Sequence, residues 1–257
     1  MPERIKQKLS AKFIMRENAR SVYLISFILT IISNILGHFM RLLLGTDHFL
    51  ADVNDAALSG GDFVGTLEAY DALAERLTPV DGLLTLVMGV IAAIISMGYY
   101  IVILRLTRGQ SAEVKGLFDG FAFPLKVVWL NIVTGFFIFL WTILFIVPGI
   151  IAAFRYSMAV YILADDPTKG ALECIRESKQ MMKSHKLNLF VLELSFLGWL
   201  FIAGFVATLF TFIIGLQLDI FMIWLTPYME LTRANFYNSV SGRAPLRLPP
   251  DMNSPEP

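Results

Sequence analysis

Residues 147–199 read VPGIIAAFRYSMAVYILADDPTKGALECIRESKQMMKSHKLNLFVLELSFLGW. The stretch holds a Pro-Gly turn, an apolar run with one arginine, a charged amphipathic segment, and an apolar run with one glutamate. A run of roughly 20 apolar residues is what an α-helix needs to cross about 30 Å of hydrocarbon. The stretch therefore reads as two membrane helices joined by a helix lying at the water surface.

The rest of the chain repeats this pattern. Of its 257 residues, 56% are hydrophobic and 16% charged, with mean hydropathy +0.65. Soluble domains are about 45–50% apolar and about 25% charged. The excess falls in blocks at about 21–43, 82–104, 127–147, 149–164, 187–208 and 216–235. These predict an all-α polytopic membrane helix bundle: six transmembrane helices within 21–237, with short interfacial amphipathic helices. One helix over 127–164 would exceed about 50 Å. A tight outer hairpin is expected instead, with Pro148 starting the fourth span. Asp165-Asp166-Pro167 should end that span and begin the surface helix, Asp166 as its N-cap and Pro167 in its first position. The single cysteine, Cys174, allows no intrachain disulfide. The first apolar block ends in FMRLLLGT, without a small-residue cleavage site, and reads as an uncleaved first span.

Charge sorts by segment. Residues 1–20, 105–126, 165–186 and the region from Arg233 onward hold 18 of the 21 Lys/Arg. The 45–81 segment holds eight acids and one base, Arg76. By the positive-inside rule both termini lie in the cytoplasm and 45–81 is an outer acidic loop. Residues 1–20 form a basic segment in which Ile5, Leu9 and Phe13 share a helical face, expected to rest on anionic headgroups. In the outer loop, Phe63, Leu67, Tyr70, Ala74 and Leu77 predict a short helix with Asp62 as cap and Pro79 as stop. Val114, Leu117, Phe118 and Phe121 predict another, capped by Ser111. Residues 238–257, rich in proline, are expected to be a disordered cytoplasmic tail.

Ionisable residues at lipid depth face the bundle interior and find partners. Arg155 lies about 15 Å above Asp165 and Glu193 about 10 Å above Lys186 along a helix, so an Arg155–Glu193 pair is expected. It would either fix helix register or take part in function. Asp219, Ile223, Thr226, Glu230, Arg233 and Tyr237 step by four and three along one largely polar face of the last span, broken by Pro227. Two readings stand: a seam for a proton, ion or headgroup, or Asp219 at the outer interface with Glu230 and Arg233 paired at the inner one.

No catalytic spacing is present: no HExxH, GxSxG or GxxxxGK[ST]. His38, His48 and His185 are scattered. The stretch at Asp52-Val53-Asn54-Asp55 is a poor calcium loop, because Ala56 and Ala57 take positions that need an oxygen ligand and glycine. No metal or cofactor is expected, no enzyme activity, and no nucleic-acid partner. The partners expected are the lipid bilayer and a membrane protein or a second copy of the chain. The first reading is a non-enzymatic scaffold, modulator or envelope sensor in the cell membrane. The alternative is a small transporter or channel using Arg155, Glu193 and the polar face of the last helix. A membrane-embedded lipid enzyme ranks third, since no nucleophile and base stand at a recognisable spacing.

The runs PGIIAAFRYSMAVYILADDP, ALECIRESKQMMKSHKLNLFVLELSFLGW and WLTPYMELTRANFY resemble the bacterial integral membrane family called domain of unknown function 975. The resemblance covers about 145–237, and the basic N-terminus and GLFDGF at 116–121 extend it more loosely. The family is seen mainly in Gram-positive bacteria and is distantly similar to the non-catalytic membrane part of some glycerophosphodiester phosphodiesterases. The resemblance implies a multi-pass topology and carries no activity with it.

Overall fold

The computed structural model describes residues 2–44, 78–214 and 221–250. All regular structure in them is helical. In order these are α1 (Glu3–Glu17), α2 (Ala19–Leu44), α3 (Pro79–Thr107), a 3-10 segment (Val114–Ala122), α4 (Pro124–Leu144), α5 (Ile146–Tyr156), α6 (Ala159–Asp165), α7 (Ala171–Met181), α8 (Lys186–Leu194), α9 (Leu197–Ile214) and α10 (Met222–Ser241). Five segments are long and apolar enough to cross a membrane: Ala19–Met40, Pro79–Thr107, Pro124–Leu144, Ile146–Asp165 and Lys186–Phe210. The sixth expected span, 216–235, corresponds to α10, which begins at Met222 and is not among those five. Its Glu230 and Arg233 stand one turn apart, and residues 215–220 lie outside the described residues.

The chain divides into two compact units, residues 1–30 with 93–257, and residues 31–92. In the smaller unit, α3 starts on a reciprocal cap. Asp81 Oδ2 accepts from the Thr78 backbone N–H (2.8 Å) and hydroxyl (2.7 Å), while Thr78 Oγ1 accepts from the Asp81 N–H (3.3 Å). This satisfies donors that a helix start leaves orphaned. Pro79 therefore opens α3 rather than stopping the expected 63–77 helix, which lies outside the described residues together with Asp62.

The larger unit has two ends of different character. At one, α1, the second half of α3, α6, α7 and most of α10 bury their side chains against each other; Ile14, Ile103, Ile162, Leu163 and Tyr237 are fully enclosed. At the other, α4, α5 and α9 carry large apolar side chains outward, such as Ile146 (72% exposed), Phe201 (72%) and Phe205 (70%). Water would penalise such a surface at about 25 cal/mol per Å²; hydrocarbon would not. The apolar end is the part built for lipid, and the packed end is a polar base.

The hairpin between α4 and α5 turns at Phe145, whose backbone is extended (φ −160°, ψ 147°). Pro148 thus sits in the first turn of α5, where its missing N–H costs no helical bond. Gly149 lets the two helices close: a Cβ there would lie 2.2 Å from Thr142 Oγ1. The pair stays together to the base, where Lys126 Nζ donates to the carbonyls of Pro167 (2.6 Å) and Thr168 (3.0 Å). The fourth span is interrupted at Ser157–Met158 and the fifth at Ser195–Phe196.

Three local expectations are corrected. The surface helix begins at Ala171 with Gly170 as N-cap, not at Pro167. Asp166 instead accepts from the Thr168 N–H (3.1 Å) and hydroxyl, which closes a turn before the helix can start. Ser111 is not the cap: the 3-10 segment is preceded by Glu113 and buries Gly116, Leu117 and Gly120 while Phe118 and Phe121 stay exposed. The cause is backbone contact, because a Cβ on Gly98 would stand 2.0 Å from the Leu117 carbonyl oxygen. α1 is helical as expected; Gln7, Ser10, Ala11 and Ile14 are buried, Ile5 is exposed, and Leu9 and Phe13 are half-buried. Finally, α10 runs to Ser241, and the start of the expected disordered tail is tied down. Arg243 pairs with Asp165, and Arg247 pairs with Glu17 at 2.7 Å; residues 251–257 lie outside the described residues.

Candidate functional site

The base is organised around Arg233 on α10. Its Nε and Nη2 donate to Glu193 Oε1 (2.6 Å) and Oε2 (2.7 Å), a two-pronged pair with α8. Its Nη1 donates to Glu230 Oε1 (2.5 Å), three residues earlier on the same helix. The second oxygen of Glu230 accepts from the Tyr161 hydroxyl (2.7 Å) on α6. One guanidinium thus binds both carboxylates of a set that spans three helices. Planar fork geometry makes arginine suited to this, where lysine would act as a point charge. Glu230 is 8% exposed and Tyr161 3%. Tyr161 also packs edge-on to Tyr100 (5.2 Å between centroids) and stacks on Tyr237 (5.7 Å).

Tyr237 links this set to a second one. Its hydroxyl donates to Asp165 Oδ2 (3.0 Å) at the end of α6. Arg108, just past α3, donates to Asp165 Oδ1 (2.5 Å) and to Asn238 Oδ1 (3.5 Å), and Asn238 donates to the Thr107 hydroxyl (2.9 Å). Arg243 bridges Asp165 and Glu177 of α7, and Lys169 also pairs with Glu177. Outside the spans, the Thr168 hydroxyl holds the Asp166 carboxyl below the usual carboxylate range. Burial raises the Cys174 thiol to about 11.

The expected Arg155–Glu193 pair does not form. Arg155 has no ion pair among the described residues, and its carbonyl accepts from Ser178 Oγ (2.9 Å). The pair fails on the side of the helix that Arg155 occupies. The side of the fourth span that faces α8 carries Phe154, which meets Phe190 edge-on at 5.7 Å, followed by Met158 and Tyr161. Arg155 lies a further 100° round the helix. Glu230 and Arg233 do pair, as one of the two expected readings has it. Thr226 is half-buried on α10, and Asp219 lies outside the described residues.

A cavity of about 410 Å³ opens beside the Arg233 set, lined by Phe154, Ser157, Met158, Tyr161, Leu189, Glu193 and Arg233. Both interrupted spans border it. Among the described residues no cluster of three or more His, Cys, Asp or Glu could hold a metal ion. Sequence reasoning missed the Asp165 set altogether. Asp165 read as a helix terminus, and Arg243 lay in a proline-rich tail. The available signal was Tyr237, one helical turn past Arg233 on the same polar face.

Residues 143–244 match the model of a family described as a protein of unknown function, DUF975. The matched segment contains Tyr161, Asp165, Glu193, Glu230, Arg233, Tyr237 and Arg243, so both ionic sets lie mostly within it. No curated protein and no solved structure matches.

Proposed function

We propose, for a chain whose residues 143–244 match the DUF975 family model, a non-enzymatic role. It scaffolds or modulates a membrane partner, or senses the state of the envelope, from the cell membrane with both termini in the cytoplasm. The observation that carries this reading is the pairing of every carboxylate oxygen in the Arg233 set. Both oxygens of Glu193 are held by one guanidinium, and both oxygens of Glu230 by Arg233 and Tyr161. Each carboxylate oxygen has a donor from a neighbouring side chain, so the pairing goes into holding helices together. Such a set fixes the mutual register of α6, α8 and α10 and gives the base one shape to present. The distribution of 18 Lys/Arg on one side of the spans supports the orientation.

The test is Glu193→Gln in purified protein reconstituted in vesicles. Loss of folded yield or stability, with no change in proton or ion flux relative to wild type, supports the scaffold. The cavity of about 410 Å³ reaching Glu193 and Arg233 favours a second reading, a small transporter. Under it, Glu193→Gln abolishes a flux that wild type sustains while folding normally. A pull-down from mild detergent that returns only the chain itself and lipid counts against a protein partner.

A further inference from the structure

The cations of α1 are arranged in a way the ionic base does not use. Lys8, Lys12 and Arg16 step by four along α1, and Arg20 follows past the turn at Asn18. Like charges four apart on a helix repel. Nevertheless, none of the four has an acidic partner among the described residues, and the nearest acid on α1, Glu17, is taken by Arg247. Docking of α1 on α10, fixed by Asn235 Nδ2 donating to the Gln7 carbonyl (3.2 Å), sets the stripe against aromatic rings. Lys8 Nζ stands 4.5 Å from the centroid of Phe196, and Lys12 Nζ 5.8 Å from that of Tyr228. Burial, with the charges of Lys12 and Arg4, lowers the Lys8 ammonium from its ordinary range. The local potential is therefore positive and uncompensated.

Beside the stripe lies a groove of about 340 Å³ whose lining includes Lys12, Arg16, Tyr23, Trp224 and Tyr228. Its aromatic wall continues into Trp199, which meets Trp224 at 5.6 Å. Tryptophan and tyrosine collect where headgroups meet hydrocarbon, since one end of each is apolar and the other wet. From Tyr23 the exposed side of α2 runs on through Leu24 (50% exposed) and Phe27 (48%). The groove thus offers cations at its mouth, amphipathic rings along its wall and an apolar track leading away.

We infer that this groove between α1, α2 and α10 binds one anionic phospholipid, its headgroup phosphate on Lys12 and Arg16 and an acyl chain along Tyr23, Leu24 and Phe27. Two cations suit a phosphate diester that carries no balancing ammonium, so phosphatidylglycerol fits and phosphatidylcholine does not. The inference rests on the membrane reading of the apolar surface and is independent of whether the base scaffolds a partner or serves a transport site.

The test uses full-length protein in a mild neutral detergent, with bound lipid counted by native mass spectrometry. The probes are phosphatidylglycerol, phosphatidylcholine and glycerol 3-phosphate. Wild type should retain phosphatidylglycerol in preference to phosphatidylcholine and show no retention of glycerol 3-phosphate. Lys12→Gln with Arg16→Gln should weaken phosphatidylglycerol binding about 30-fold, from about fivefold per cation near an anionic surface. Lys179→Gln with Lys183→Gln, exposed cations on and just past α7, should leave it unchanged. Equal retention by wild type and the Lys12/Arg16 variant overturns the site, and displacement of the lipid by equimolar glycerol 3-phosphate overturns the lipid assignment in favour of free phosphate. Should the Lys12/Arg16 variant not fold, wild type decides: retention that persists at about 1 M salt, where screening acts within about 3 Å, also overturns it. Failure of any of these leaves the flux and stability results for Glu193→Gln as they stand.

Discussion

Replacing Arg233 with methionine should destabilise the larger unit more than any single carboxylate change. The side chain makes three charge-assisted hydrogen bonds, two to Glu193 and one to Glu230. Its loss leaves two carboxylates near each other, one of them on a residue only 8% exposed. Breaking a buried ion pair from one side costs about 3–5 kcal/mol. Arg233 and Glu193 keep 29% and 23% of their side-chain surface, so water screens part of that, and about 2–3 kcal/mol is the expected loss. Glu193→Gln, which retains volume and one acceptor, should cost about 1 kcal/mol. The assay is reversible unfolding in mixed micelles by titrated sodium dodecyl sulfate, followed by tryptophan fluorescence, because Trp199 and Trp224 lie in the aromatic cluster beside α10. A quadruple change, Arg233→Met, Glu193→Leu, Glu230→Leu and Tyr161→Phe, which also removes the hydroxyl that Glu230 accepts from, should return to within about 1 kcal/mol of wild type, since apolar replacement of a whole buried set is often neutral. Arg233→Met within about 0.5 kcal/mol of wild type would refute the claim that this set holds the three helices together.

Three further outcomes are expected. Gly98→Ala should cost about 2 kcal/mol, because its Cβ would meet the Leu117 backbone oxygen at 2.0 Å; Gly89→Ala, with nothing within 4 Å, should be neutral or gain up to about 1 kcal/mol; urea or detergent midpoints separate the two. Cys174, fully buried with a thiol raised to about 11, should resist maleimide at neutral pH until the protein unfolds. Its folded state stays protonated while an unfolded thiol ionises near 9, so its contribution to stability is full below about pH 9 and lost as pH rises towards 11. Arg243→Ala should loosen α7 from α6, since Arg243 bridges Glu177 and Asp165; faster amide exchange over 171–181 with unchanged exchange in α4 would record it.

Much of the helical layout was legible, because lipid-scale apolar blocks and a Pro-Gly pair are strong local signals. The hairpin appeared at Phe145, within three residues of Pro148. The interruption at Ser195–Phe196 was not legible: no proline marks it, and Phe196 packs against Tyr228 at 5.5 Å, a contact between distant residues. The Arg155–Glu193 expectation failed because rise along a helix is readable from residue number while the facing side depends on neighbours. Glu230 and Arg233, three apart on one helix, needed no such knowledge, and their pairing was within reach of the sequence. The Asp165 set joins residues 57 and 78 positions apart, a separation that no local periodicity reports.

The charged base and the acid-rich segment 45–81 are expected on opposite sides of the membrane. In a Cys174→Ser background, Lys183→Cys on the exposed face past α7 and Ser59→Cys within 45–81 should be treated on intact cells with membrane-impermeant maleimide. Modification of Ser59→Cys alone is expected, with Lys183→Cys reacting only after the membrane is permeabilised. Modification of both from outside, or of Lys183→Cys alone, would contradict this arrangement.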